Sequence, residues 1–175
     1  MENNKPISHI TAGLIIGSAL IVLSLISIYV FKGGDNSRYT QWLTYIVICA
    51  GLIVFISLYG KANDYALSFG DLFAYGFKAT AVYALISIGF IILFNLMVPD
   101  FKEKGIEMAR QNLEDQGKLT DTQIEQALQF TRKYFWAIAI GRALIGNLII
   151  GAIGSLIGAA VTKKRPKNPL EQLNA

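Results

Sequence analysis

Ala143–Thr162 reads ALIGNLIIGAIGSLIGAAVT, and the basic residues Lys163, Lys164, Arg165 and Lys167 come immediately after it. The stretch holds no ionisable side chain. About 20 residues at 1.5 Å each cross about 30 Å of hydrocarbon, so this is the length of a transmembrane helix. Its glycines do not make a phosphate loop, which follows a strand and ends in Gly-Lys-Ser/Thr. Basic residues at such an end orient the helix and meet anionic headgroups.

Three further stretches pass the same test: Ile10–Phe31, Gln41–Gly60 and Ala79–Val98. The first is too long for a cleaved signal peptide, and Lys32-Gly33-Gly34-Asp35 after it is no cleavage site. Composition agrees, with 53% hydrophobic and 16% charged residues and a mean hydropathy of +0.44. A net charge of +4 has the sign that nucleic acid attracts. However, the one dense basic cluster directly follows an apolar run, so the partner it implies is the lipid bilayer. The single cysteine, Cys49, lies within an apolar segment and forms no internal disulfide.

Between the third and fourth spans lies a polar stretch, 100–133. On a helical wheel Glu103, Lys104, Glu107, Arg110, Gln111, Glu114 and Asp115 share one arc. Phe101, Ile106, Met108, Ala109 and Leu113 share the other. Gly117 is placed to end this helix. Thr120 and Gln123 are spaced as a capping box for a second helix, in which Ile124, Ala127, Leu128 and Thr131 recur at helical spacing without a break before the fourth span. The aromatic run Phe69–Phe77 is expected to lie along the interface ahead of the third span. The fold expected is thus an all-α membrane protein: four transmembrane helices in a single membrane domain, with an amphipathic helical hairpin between the third and fourth.

Small residues mark the helix contacts. Ala139, Ala143, Asn147, Gly151, Ser155 and Ala159 recur every fourth position. Gly154 and Gly158 form a G-x-x-x-G beside them, and Gly13 with Gly17 repeats it in the first span. Packing within the bundle is favoured over a homo-oligomer seam. Lys78 and Arg142 sit at span edges, where long side chains snorkel. The alternative for Arg142 is an inward guanidinium that meets Asn95, Asp100 or Asp35, or binds an anionic headgroup or solute.

Chemistry-bearing groups are sparse. His9 is the one histidine and has no convergent ligands near it in sequence, so neither a metal nor another cofactor is expected. The four apolar stretches contain no Asp or Glu, which argues against proton-coupled transport. Their serines lack a base at depth, so no enzyme is expected. Counting Lys and Arg near the span ends places both termini in the cytoplasm and the hairpin outside.

The segment Ser68-Phe69-Gly70-Asp71-Leu72-Phe73-Ala74-Tyr75-Gly76-Phe77, the exit Val98-Pro99-Asp100-Phe101, and Ile153-Gly154-Ser155-Leu156-Ile157-Gly158-Ala159-Ala160 before Lys163 resemble the domain-of-unknown-function family 4199. Its members are small multi-span bacterial membrane proteins. The resemblance covers nearly the whole chain. It implies an inner-membrane location and carries over no functional residues. The function expected is that of a non-enzymatic scaffold or accessory protein, associating with itself, a membrane-protein partner or lipid. The alternative is a small oligomeric transporter or channel.

Overall fold

The computed structural model describes residues 6–29, 37–98 and 100–165. They form six helices: α1 (His9–Tyr29), α2 (Ser37–Ala62), α3 (Phe69–Met97), α4 (Phe101–Gln116), α5 (Asp121–Lys133) and α6 (Phe135–Val161). No strand occurs among the described residues. Helices α1, α2, α3 and α6 are long and apolar enough to cross a membrane. Only 22–28% of the residues in the apolar window of each are buried within the protein. Side chains such as Val22, Ile46, Leu85, Leu93 and Val161 are more than half exposed. So much outward apolar surface calls for lipid rather than water. The chain is an all-α membrane protein with four transmembrane helices and a helical hairpin, α4 and α5, between the third and fourth.

The residues group into two compact units, 1–87 with 146–175, and 88–145. The first is built on Ala12, Ile16, Leu20, Ile48, Leu52, Ile56, Leu72, Tyr75, Ala79, Tyr83 and Ala159. Those of α1, α2 and α3 recur at three- and four-residue spacing, which lines up one face of each of these helices. In the second unit Ile106, Ile124, Leu128 and Phe135 pack together, with Ala109 and Leu113 against them.

Helix boundaries differ from the hydropathy windows. The run Phe69–Phe77 does not lie apart along the interface but forms the first turns of α3. Ser68 starts it: its Oγ accepts from Asp71 N at 3.2 Å, while Asp71 Oδ2 accepts from Ser68 N and Oγ at 3.0 and 2.6 Å. This is a capping box with aspartate in the third helical position. It places Leu72 and Tyr75 in the core, 1% and 5% exposed. Helix α6 likewise begins at Phe135, well before Ala143, and α2 begins at Ser37. Hydropathy finds the apolar middle of a helix, whereas hydrogen bonding extends it through polar turns.

Gly117, at φ 60°, closes α4 by donating its N–H to Glu114 O. Thr120 and Gln123 form the reciprocal capping box that opens α5. The second arm does not run unbroken into the fourth span, because Tyr134 (φ −110°, ψ 20°) interrupts it. Met108 is exposed instead of joining the apolar arc. The short α2–α3 loop turns on Asp64 and Tyr65, at φ 52° and 57°.

Candidate functional site

In the first unit the glycines mark where backbones meet. A methyl group on Gly13 would lie 2.6 Å from Val82 Cβ and 2.8 Å from Ala79 O, and one on Gly17 would lie 2.9 Å from Ile86. Helix α1 therefore rests directly on α3. The small residues of α6 divide into two lanes. Gly154 lies against Cys49 and Leu52, and Gly158 against Ile53 and Ile56, all of α2. Gly151 lies against Thr80 and Tyr83 of α3, and the Ser155 hydroxyl sits where a side chain on Gly76 would be. Absent side chains let backbones approach, and dispersion then acts over many atoms.

A polar contact accompanies these lanes. Tyr83 donates its hydroxyl to the backbone oxygen of Asn147 at 2.9 Å. The Asn147 side chain is half-buried and makes no hydrogen bond among the described residues. Ser155 is fully buried, and its hydroxyl has no partner among the described residues. These residues hold helices together. Among the described residues, no three His, Cys, Asp or Glu side chains converge.

The helix ends of this unit carry a second group. The rings of Tyr59 and Tyr75 stack at 4.1 Å, His9 meets Tyr75 edge-on at 6.5 Å, and the Tyr75 hydroxyl donates to Ile7 O at 3.0 Å. Beyond α6, Lys163, Lys164 and Arg165 are exposed. The Arg165 N–H donates to Tyr65 O at 2.8 Å, and Lys164 Nζ stands 5.4 Å over the Phe69 ring. Lys167 lies outside the described residues. The tyrosine stack was not foreseen, because rings near span ends signal interfacial depth without revealing which of them pair.

The second unit holds the most accessible charge. Arg110 bonds Glu125 at 2.8 Å and approaches Glu114 at 3.7 Å, and Arg132 bonds Glu103 at 3.2 Å. Two of these exposed pairs, Arg110–Glu125 and Arg132–Glu103, join α4 to α5, and exposed pairs add little stability. Arg142 is different. It is exposed on α6 and lines a groove of about 580 Å³ with Ala109, Asn112, Leu113 and Gln116 of α4 and Ala127, Phe130 and Thr131 of α5. The guanidinium forms no hydrogen bond or ion pair with Asn95 or Asp100, and Asp35 lies outside the described residues. The Asn95 amide nitrogen is buried and without a partner among the described residues. Ala143, the next residue of α6, is half-buried.

Against known families, residues 11–164 match the model described as a protein of unknown function, DUF4199. No curated protein and no solved structure matches the chain.

Proposed function

Since this chain belongs to the DUF4199 family of proteins of unknown function, we propose its role from its own geometry: a non-enzymatic scaffold or accessory protein of the bacterial inner membrane. Both termini are cytoplasmic, and the hairpin outside engages a lipid or protein partner. The observation that carries this reading is the surface of the hairpin. Its arms bury Ile106, Ile124 and Leu128 against each other, yet Met108, Leu119 and Phe130 remain 40–60% exposed. An amphipathic pair that satisfies its own core and still shows large apolar side chains is suited to a second surface.

Orientation follows from charge. Lys61, Lys163, Lys164 and Arg165 flank the termini side of the spans. The hairpin side also carries Lys102, Lys104, Arg132 and Lys133, so the clustering of the basic residues after α6 supports this orientation rather than the count.

The test is cysteine accessibility combined with partner capture, in a Cys49→Ala background. A cysteine replacing Lys118 in the hairpin turn is expected to react with an impermeant thiol reagent in intact spheroplasts, and one replacing Asn168 only after lysis. The reverse pattern overturns the orientation. Crosslinking from the hairpin is expected to trap a protein or lipid. Saturable solute flux in proteoliposomes would replace the scaffold reading with transport.

A further inference from the structure

We infer that the groove between the hairpin and the start of α6 binds the phosphate of an anionic phospholipid, with Arg142 as the residue that reads it. This deepens the reading above and rests on its premise that the chain meets lipid at this surface.

Depth is the first argument. Helix α6 has 27 residues and ends at Val161, and about 20 residues suffice to cross the hydrocarbon. Counting back that many from Val161 arrives at Arg142, so the turns from Phe135 to Gly141 stand above the hydrocarbon. The guanidinium is thereby at the level of the headgroups.

Charge is the second. Arg110 and Arg132, in the same unit, are each matched by a carboxylate. Arg142 has no such partner among the described residues, and no Asp or Glu lines the groove. A guanidinium offers five N–H donors in a planar fork that fits two oxygens of a phosphate at once.

The lining supplies the third. The Asn112 amide already donates to Met108 O at 2.6 Å, and the Thr131 hydroxyl to Ala127 O at 2.8 Å. The donors left to the groove are Arg142, the Gln116 amide and the second N–H of the Asn112 amide. Leu113 and Phe130 add apolar surface beside them, which suits a ligand with a charged head on an apolar tail better than a free hydrated ion. The net negative charge of the ligand offsets the unmatched guanidinium, so phosphatidylglycerol is favoured over phosphatidylcholine although both carry a phosphate.

The experiment is native mass spectrometry of the purified full chain in neutral detergent, with short-chain phosphatidylglycerol, phosphatidylcholine or inorganic phosphate added. The parent is expected to retain phosphatidylglycerol about fivefold more readily than phosphatidylcholine, the scale of one basic residue beside an anionic headgroup. Arg142→Gln is expected to remove that preference, while Lys118→Gln, exposed in the hairpin turn and outside the groove lining, leaves it intact. An unchanged preference in Arg142→Gln, or equal loss in Lys118→Gln, overturns the proposal. Displacement of the lipid by equimolar inorganic phosphate also overturns it, showing a site for the free anion. If Arg142→Gln fails to fold by circular dichroism, Arg142→Lys carries the test, because it keeps the charge and loses the fork. It is expected to keep the preference, which follows the charge, and to lower retention of phosphatidylglycerol severalfold, because the fork is gone; loss of the preference, or unchanged retention, sinks the assignment. A chain that passes the accessibility test without lipid preference loses the groove alone. One with Arg142-dependent preference but inverted accessibility loses only the orientation.

Discussion

Gly151 and Gly146 are five positions apart on one helix and differ completely in what surrounds them. A methyl group on Gly151 would strike the Thr80 side chain and lie 2.7 Å from the Tyr83 hydroxyl, which is itself committed to Asn147 O. On Gly146 it would meet nothing within 4 Å. Gly151→Ala is therefore expected to destabilise the protein by about 1–3 kcal/mol, the usual cost of overpacking. Gly146→Ala should be neutral or stabilising by up to about 1 kcal/mol, since alanine is the better helix former. Thermal unfolding in detergent separates the two. Equal melting temperatures would show that close approach at Gly151 contributes nothing. Both glycines look alike in the sequence, and only Gly151 falls on the every-fourth-residue stripe. That stripe is itself graded, fully buried from Gly151 to Ala159 and half-buried from Ala139 to Asn147.

At the scale of elements, the hairpin depends on its arms finding each other. Helix α4 has 16 residues and α5 has 13, lengths at which an isolated helix is marginal in water. What holds them is the cluster of Ile106, Ile124, Leu128 and Phe135, with caps at Gly117 and Thr120. Leu128, 1% exposed, sits within it. Leu128→Ala in the full chain is expected to cost about 2–5 kcal/mol of local stability through lost burial and the cavity left behind. Hydrogen exchange of α4 and α5 amides should quicken accordingly, with the α1 and α2 amides unaffected. Unchanged exchange in the hairpin would mean that something other than this cluster orders it. The capping box, the closing glycine and the apolar spacing were all legible beforehand, because each is a short-range rule. The break at Tyr134 was not, since the apolar pattern continues through it.

For the whole molecule, the division into two units has a consequence for digestion. The first unit's chain is made of spans whose backbone bonds are shielded by lipid or detergent, whereas the turn of the second unit exposes Lys118 and Leu119. Exposed turns are where proteases cut first, because local opening there costs least. Apart from cuts in the exposed basic residues after α6, limited trypsin digestion of the reconstituted chain is expected to cleave first after Lys118, leaving fragments that extend to both sides and migrate together under mild conditions. First cleavage within α1, α2 or the Gly146–Val161 half of α6 would contradict the assignment of these helices as spans.

The sequence by itself determined the number of spans, the all-helical class, the hairpin between the third and fourth, and the family. Each follows from local information: about 20 apolar residues satisfy the length of a bilayer, and periodicity with caps defines a short helix. What only the tertiary structure decided is which residues face which. It set Gly151 and Ser155 against α3 and Gly154 and Gly158 against α2, stacked Tyr59 on Tyr75, and made the first turns of α3 part of the core. It also placed Arg142 beside Asn112, Gln116 and Phe130 rather than hydrogen-bonded to Asn95 or Asp100. The physical reason lies in the medium. In lipid every face of a span is apolar, so hydrophobicity marks the helix without marking its inward side, and steric fit between particular backbones and side chains makes the choice.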